Sequence, residues 1–221
     1  MTMADDVAAE VRAGIRERRY VPGTIYSVYQ LSDLLGVSRS PVREAMLRLA
    51  EAGLVEIVRN RGFRVLLPAA RDLAEIFAVR LALEVPAAGR VPAASLPDLR
   101  AAMAAMSSAS SPADFWAADR LLHHTILVDA GNARAARIVA GLRETTALLG
   151  DPTGRTPEAI CAEHAAVVDA VAEGSREAAE DAMRRHLTST GLLLMARAAS
   201  LPVGDPELVA LWDEVVEGRE N

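Results

Sequence analysis

Lysine is absent from this chain. All 24 of its basic residues are arginine, which is compatible with a GC-rich coding bias and also suits bidentate recognition of carboxylates, phosphates and guanine. Cysteine occurs once, at Cys161, so no internal disulfide can form. Although 51% of the residues are hydrophobic, no apolar run approaches the ~18 residues that a membrane-spanning helix needs. The expectation is a soluble protein with no membrane partner. The chain opens on no basic, apolar, small-residue pattern of the signal-peptide kind, and together with the lone cysteine this points to the cytoplasm.

A length of 221 residues exceeds one average domain and falls short of three, so two domains are expected. The charge is divided unevenly. Residues 1–68 carry ten arginines against eight acids, whereas residues 69–221 carry fourteen against twenty-two, so the net charge of -6 combines a weakly basic head with an acidic body. A weakly basic head permits nucleic-acid binding without demanding it, and the case rests on pattern.

In the head, Val7, Val11 and Ile15 recur at four-residue spacing, predicting an amphipathic helix over 4–19 that Pro22-Gly23 ends. A turn follows. A short helix over 30–35 closes at Gly36, and Ser38 is placed as the N-cap of a third helix over 39–52 stopped by Gly53. The β-rich runs 54–58 and 63–67 flank Arg59-Asn60-Arg61-Gly62, the composition of a hairpin turn. Helix, tight turn, helix and hairpin together predict a winged helix-turn-helix domain over 1–68.

Pro68 marks the boundary. Beyond it the strand signal vanishes, and helices are expected over 72–90, 96–106, 112–130, 133–149, 157–173 and 175–199, with Gly150 among the stops and Pro86 and Pro92 able to kink or end the first. The last twenty residues read as a short helix or a loosely packed tail. With no internal repeat, the fold class is mainly α, an all-helical bundle over 69–221 following the winged helix-turn-helix.

In the third helix Val42, Ala45, Met46 and Leu49 form the inward stripe, leaving Arg39, Ser40 and Arg43 at the exposed N-terminal end. That end of a recognition helix meets base edges in the major groove. Arg39 and Arg43 are one turn apart, so both guanidinium forks can reach the same few base pairs or a flanking phosphate. Arg59 and Arg61, at the hairpin tip, would lie on an adjacent groove or backbone. The run Gly36-Val-Ser-Arg-Ser-Pro-Val-Arg-Glu-Ala, followed by Leu-Arg-Leu and Ala52-Gly-Leu-Val, resembles the signature of the GntR family of bacterial regulators over about sixty residues. The resemblance implies that Ser38, Arg39 and Arg43 contact DNA and that Gly62 lies at the wing tip. Tyr29 departs from the family pattern, standing where an arginine that contacts DNA is usual. High specificity from so short a helix needs two copies, hence a homodimer on an inverted-repeat operator of double-stranded DNA.

All four histidines fall in the second domain. His164 lies on a stripe with Ile160, Val167, Val168 and Val171, His186 on one with Ala179, Met183, Leu187 and Thr190, and Asp119 and His123 interleave with Phe115, Leu122 and Ile126. His124 points elsewhere. A single buried histidine is usually a hydrogen-bonded core residue, but burying one carboxylate and three imidazoles without partners costs several kcal/mol, at roughly 1–3 kcal/mol per group and more for the charge. A divalent cation held by Asp119, His123, His164 and His186 would offset that cost. Nitrogen and carboxylate ligands without thiolate favour zinc first, then nickel, manganese or iron, over copper(I). Cys161, one turn before His164, reads as a small buried apolar residue. Arg80, on the inward stripe of Leu73, Ile76 and Phe77, needs an anionic partner, which is either Glu84 one turn along or the carboxylate of an effector.

Asp119-Arg-Leu-Leu-His123 with Gly131-Asn132, Glu163-His164, Met183-Arg-Arg-His186 and Val79-Arg80-Leu-Ala-Leu-Glu84 resemble the metal site and first-helix motif of the FadR-like subfamily of GntR regulators, whose helical domain is called FCD. That resemblance implies six or seven antiparallel helices, a homodimer and a small organic-acid effector at the metal. The rival reading is a metal-dependent hydrolase using the same Asp/His site. It finds no His-Glu-x-x-His, no nucleophile with base and orienter, and no Gly-rich phosphate loop, and Glu163, the one acid able to serve as base, is expected to face away. A protein-interaction module using the bundle surface is compatible with the sequence and predicted by nothing specific in it. The expectation is a regulator, not an enzyme.

Overall fold

Thr2 and Asp5 cap the first helix reciprocally: the Asp5 amide donates to Thr2 Oγ1 at 3.3 Å, and the Thr2 amide donates to Asp5 Oδ2 at 2.7 Å. The computed structural model describes residues 2–17, 19–149 and 154–219, and Gly150, expected as a helix stop, lies outside them. Two compact units result, Met1–Ala69 with Glu144–Asp151, and Ala70–Arg143 with Pro152–Asn221. This division departs from a single cut at Pro68 by grouping the end of one helix and the 3-10 turn after it with the head. The reason is local packing, since that turn, Ala147–Leu149, lies on the first helix.

In the head, α1 (Met3–Arg16), α2 (Val28–Leu35) and α3 (Arg39–Glu51) precede a hairpin of β2 (Val55–Val58) and β3 (Gly62–Val65). The expected turn after Pro22-Gly23 also contains a strand, β1 (Ile25–Tyr26), which pairs antiparallel with β3 and gives the sheet order β1-β3-β2. Two residues are too few for an alternation of apolar and polar positions to show. Val7, Val11, Ile15, Val42, Met46, Leu49, Leu54, Phe63 and Val65 form the core between helices and sheet. Tyr26 is held there by Phe63, stacked at 5.7 Å, and by Tyr20, edge-on at 5.0 Å. At Gly62 (φ 130°) a Cβ would come within 2.0 Å of the Tyr26 carbonyl oxygen, so only glycine lets β1 and β3 approach this closely.

The second unit contains α4 (Ala70–Ala88), α5 (Leu96–Ser107), α6 (Pro112–Asp129), most of α7 (Ala133–Thr146), α8 (Pro157–Ala172), α9 (Arg176–Ala199) and α10 (Pro206–Val215). It is a helical bundle in which α4 packs on α9, α6 and α10, while α5 packs on α6 and α8. Pro86 lies inside α4, whose end precedes Pro92. The tail is not loose. Leu208 and Trp212 of α10 are buried, Trp212 lies 6.3 Å from Phe77, and a Cβ on Gly191 would come within 2.5 Å of the Trp212 ring. Among the described residues no helix is long and apolar enough to cross a membrane.

Candidate metal centre and nucleic-acid interface

Helices α6, α8 and α9 each turn one histidine into the bundle interior, because each histidine occupies a position of its helix's apolar stripe. His123, His164 and His186 are all buried, and one ring nitrogen from each lies within 4.8 Å of the others. Their outward nitrogens are committed. His123 Nδ1 meets Glu84 Oε2, His164 Nδ1 donates to the Ile160 carbonyl at 2.8 Å, and His186 Nδ1 donates to Glu163 Oε2 at 2.8 Å. A carbonyl and ionised carboxylates only accept, so in the neutral rings the proton sits on Nδ1 and Nε2 carries a lone pair. His123 Nε2 and His164 Nε2 then face each other at 3.1 Å, and Asp119 Oδ1 lies 3.3 Å from the second and 3.9 Å from the first. Lone pairs and a carboxylate converging in a buried space repel unless a cation is shared among them, and fixing imidazoles through their other nitrogens is how proteins orient metal ligands.

Burial reinforces the neutral state. It pushes His123 down to about 4, aided by Arg143 and opposed by Glu84. Burial likewise lowers His164, and it drives His186 well below its ordinary value with help from the other two histidines. For the acids burial acts the other way and is overcome: Arg80 and His123 hold Glu84 far below the usual carboxylate range, and Arg143 with the two nearer histidines lowers Asp119. The centre is thus a set of neutral imidazoles ringed by carboxylates, each backed by an arginine. Arg80 Nε donates to Glu84 Oε1 at 2.6 Å, Arg143 pairs with Asp119, and Arg155 grips both oxygens of Glu163 while reaching Thr190 Oγ1 at 2.7 Å.

His123, His164 and His186 therefore gather at one place, Asp119 lies against His164 and His123 on one side of the triad, and Arg80 lies one carboxylate away. His124 is exposed, as its helix face implies, and Cys161 is half-buried beside Ser107 rather than in the cluster. Glu163 is a correction: it does not face away but holds His186, because α9 brings that imidazole against the side of α8 on which Glu163 stands. Arg143 and Arg155 join the centre beyond the residues expected from the sequence. Arg143 extends the buried stripe of Ala135, Ala136 and Val139, a signal the sequence carried. Arg155 precedes α8 with no periodicity to mark it.

In the head, the N-terminal end of α3 and the hairpin tip bound a cleft of about 440 Å³ lined by Tyr29, Arg39, Arg43, Ile57, Arg59, Arg61 and neighbouring residues that include Gly62. Its arginines differ from four others described in the unit. Arg12, Arg19, Arg48 and Arg64 are each ion-paired with acids, whereas no ion pair to Arg39, Arg43, Arg59 or Arg61 is found among the described residues, and all four are exposed. Ser38 takes the N-cap backbone position of α3 but makes no capping hydrogen bond, and it and Ser40 are exposed on the same rim. Unneutralised guanidinium groups and uncapped helix amides together suit a polyanion.

A winged helix-turn-helix with such a rim, in one chain with a helical bundle built around buried histidines, defines a DNA-binding transcriptional regulator. Comparison with known proteins agrees. Residues 3–65 match the family described as bacterial regulatory proteins, gntR family, and residues 75–189 match the FCD domain. The chain belongs to the GntR family of transcriptional regulators, with an FCD domain, and is not an enzyme. It is 32% identical over 197 residues, 85% of this chain and 87% of the other, to a probable D-xylose utilization operon transcriptional repressor of Paenarthrobacter nicotinovorans. It is 36% identical over 127 residues, 53% of this chain and 74% of the other, to an HTH-type transcriptional regulator in the TAR-I ttuE-ttuC' intergenic region of Agrobacterium vitis. A GntR regulator from Rhodococcus sp. RHA1 shares the fold with a TM-score of 0.73 at 23% identity, covering 87% of this chain and 97% of that one. FCD domains are often metal-binding, and the histidine triad fits that habit.

Proposed function

We propose that the protein binds an inverted-repeat operator as a homodimer, with the helical domain supplying the dimer contacts, and that an organic acid bound beside a divalent cation adjusts operator affinity. In each head Arg39, Ser40 and Arg43 meet base edges and phosphate, Ser38 meets phosphate, and Arg59, Arg61 and the Gly62 turn lie along an adjacent groove. Asp119, His123, His164 and His186 would hold the metal, zinc first and nickel, manganese or iron otherwise, since the donors are nitrogen and oxygen with no thiolate. The carrying observation is that His123 Nε2, His164 Nε2 and Asp119 Oδ1 lie together, with a ring nitrogen of His186 within 4.8 Å of a nitrogen on each of the other two histidines and every Nδ1 hydrogen-bonded. A bound cation would supply positive charge and open positions for effector oxygens.

The effector's class follows from Arg80. Its Nε is used by Glu84, yet its Nη2 is buried with no hydrogen-bond partner, and a buried unmade donor is costly. A carboxylate oxygen would satisfy it, so Arg80 serves both Glu84 and the effector. A ligand bridging Arg80 and the metal touches α4, α6, α8 and α9 together. It changes DNA affinity by no more than its differential affinity for the two domain arrangements. The test is elemental analysis followed by a thermal-shift screen of small carboxylic acids. Wild type should bind metal and one class of acid, and Arg80→Ala should keep metal and operator binding while losing the acid. Wild-type acid affinity in Arg80→Ala by calorimetry would make Arg80 purely structural.

A further inference from the structure

Tyr29 stands on the first turn of α2 with 54% of its surface exposed, so no packing inside the head requires an aromatic ring there. Its backbone is nonetheless fixed twice. The Tyr29 amide donates to Ser27 Oγ at 3.1 Å, and the hydroxyl of buried Ser32 donates to the Tyr29 carbonyl at 2.7 Å. The ring carries the Arg39 guanidinium, whose Cζ lies 4.6 Å from the ring centroid, and both side chains line the same cleft. We propose that Tyr29 is a specificity-determining positioning residue of the DNA interface: its ring holds the Arg39 guanidinium by the face and leaves the N–H edge free to read a base, guanine first. The inference rests on the operator-binding reading of the head.

The chemistry turns on which part of a guanidinium a partner occupies. An acid takes the edge, as Asp5 and Glu44 do to Arg48, and that edge is the fork that reads O6 and N7 of guanine. An aromatic ring stacked on the guanidinium plane takes the face and leaves the edge open. A long side chain held in one orientation also loses less rotamer freedom on docking, so the ring favours the contact that needs fixed geometry over the loose electrostatic contact any phosphate accepts.

The experiment uses the full-length protein to select sites from randomised duplexes, followed by competition between the selected site and its single-base variants. It compares wild type, Tyr29→Phe, Tyr29→Ala, Arg39→Ala and the double variant. Because the ring is exposed, Tyr29→Ala should fold as wild type does. Tyr29→Phe should keep wild-type discrimination. Tyr29→Ala should lose roughly two- to fivefold at one G·C pair, with affinity for random duplex at low salt unchanged, and should add nothing on top of Arg39→Ala. An equal loss in the Arg39→Ala background would show that Tyr29 touches DNA by itself and overturn the proposal. Equal damage from Phe and Ala would assign the effect to the hydroxyl and overturn it as well. If wild type selects a site but Tyr29→Ala keeps its full preference, this proposal fails alone; if wild type selects no site, the operator-binding reading fails with it.

Discussion

The two units of this protein use arginine in opposite ways. In the helical unit Arg80, Arg143 and Arg155 are spent inside, each paired with one of the carboxylates Glu84, Asp119 and Glu163 that surround the histidines. In the head Arg39, Arg43, Arg59 and Arg61 are exposed around a cleft with no acid against them among the described residues. A buried charge must be paired, and pairing gives it a fixed position. An exposed charge can be left unpaired at little cost, and that leaves its hydrogen-bond donors for a partner that arrives later. The contrast separates a site built to hold its geometry from a surface built to be completed by something else.

Breaking the internal pairing should have the largest effect. Glu84→Ala strips the buried Arg80 and His123 of their shared acceptor, and removing one partner of a buried pair costs about 3–5 kcal/mol. Denaturant unfolding of metal-free protein measures it; a loss below about 1 kcal/mol would mean that water or another acid takes the place of Glu84. Metal removal comes next. Stripping the protein with a chelator, or His164→Ala, should cost about 3–4 kcal/mol of apparent stability if metal is supplied at 100 to 1,000 times its Kd. Equal metal content by elemental analysis in wild type, His164→Ala and His186→Ala would remove the assignment, and exposed His124→Ala serves as the unaffected control.

How far these sites could be read from sequence depended on the kind of relation involved. Asp119, His123, His164 and His186 were visible because each interrupts an apolar stripe, and a stripe is a property of one helix. The partnership of Glu163 with His186 was invisible because it crosses from α8 to α9. Position along a single helix put Glu163 beside the stripe and therefore, wrongly, facing away. Glu84 showed its link to Arg80, one turn apart, but not its contact with His123 on another helix. The hairpin was legible from its turn residues, whereas β1 is two residues long and exists only through its pairing with β3. Trp212 docks the last helix through Phe77 and Gly191, which no local pattern in residues 202–221 announces.

At the other side of the contrast, effects should appear in DNA binding and leave folding alone. Arg39→Ala and Arg43→Ala should each weaken operator affinity by about 1–3 kcal/mol while thermal unfolding stays unchanged. Wild-type affinity in both would remove α3 from the interface. Arg59→Ala and Arg61→Ala, at the hairpin tip, should act more uniformly across sequences and lower the slope of log affinity against log salt by about one each. A change in sequence preference with an unchanged slope would instead place them on base edges.

The smallest expected effect makes the sharpest comparison, because it concerns one hydroxyl in each unit. Thr156 caps α8 from within: its Oγ1 accepts from the Ala159 amide at 3.3 Å. Ser38 holds the equivalent position on α3 with an extended backbone (φ -71°, ψ 164°), yet its side chain makes no cap hydrogen bond. An N-cap hydroxyl that satisfies a helix amide is worth about 1 kcal/mol, and one that does not should be worth a few tenths at most. Thr156→Ala should therefore lower unfolding stability by about 1 kcal/mol and leave operator affinity alone. Ser38→Ala should do the reverse, with stability preserved and affinity reduced, because the free hydroxyl and the open amides of α3 are both available to a phosphate. If Ser38→Ala costs as much stability as Thr156→Ala, the hydroxyl caps its helix in solution and the rim of the head is less open than its geometry indicates. Equal and small effects on stability, with operator affinity lost only in Ser38→Ala, would instead show that the α8 cap is redundant and leave the assignment of Ser38 to the DNA contact intact.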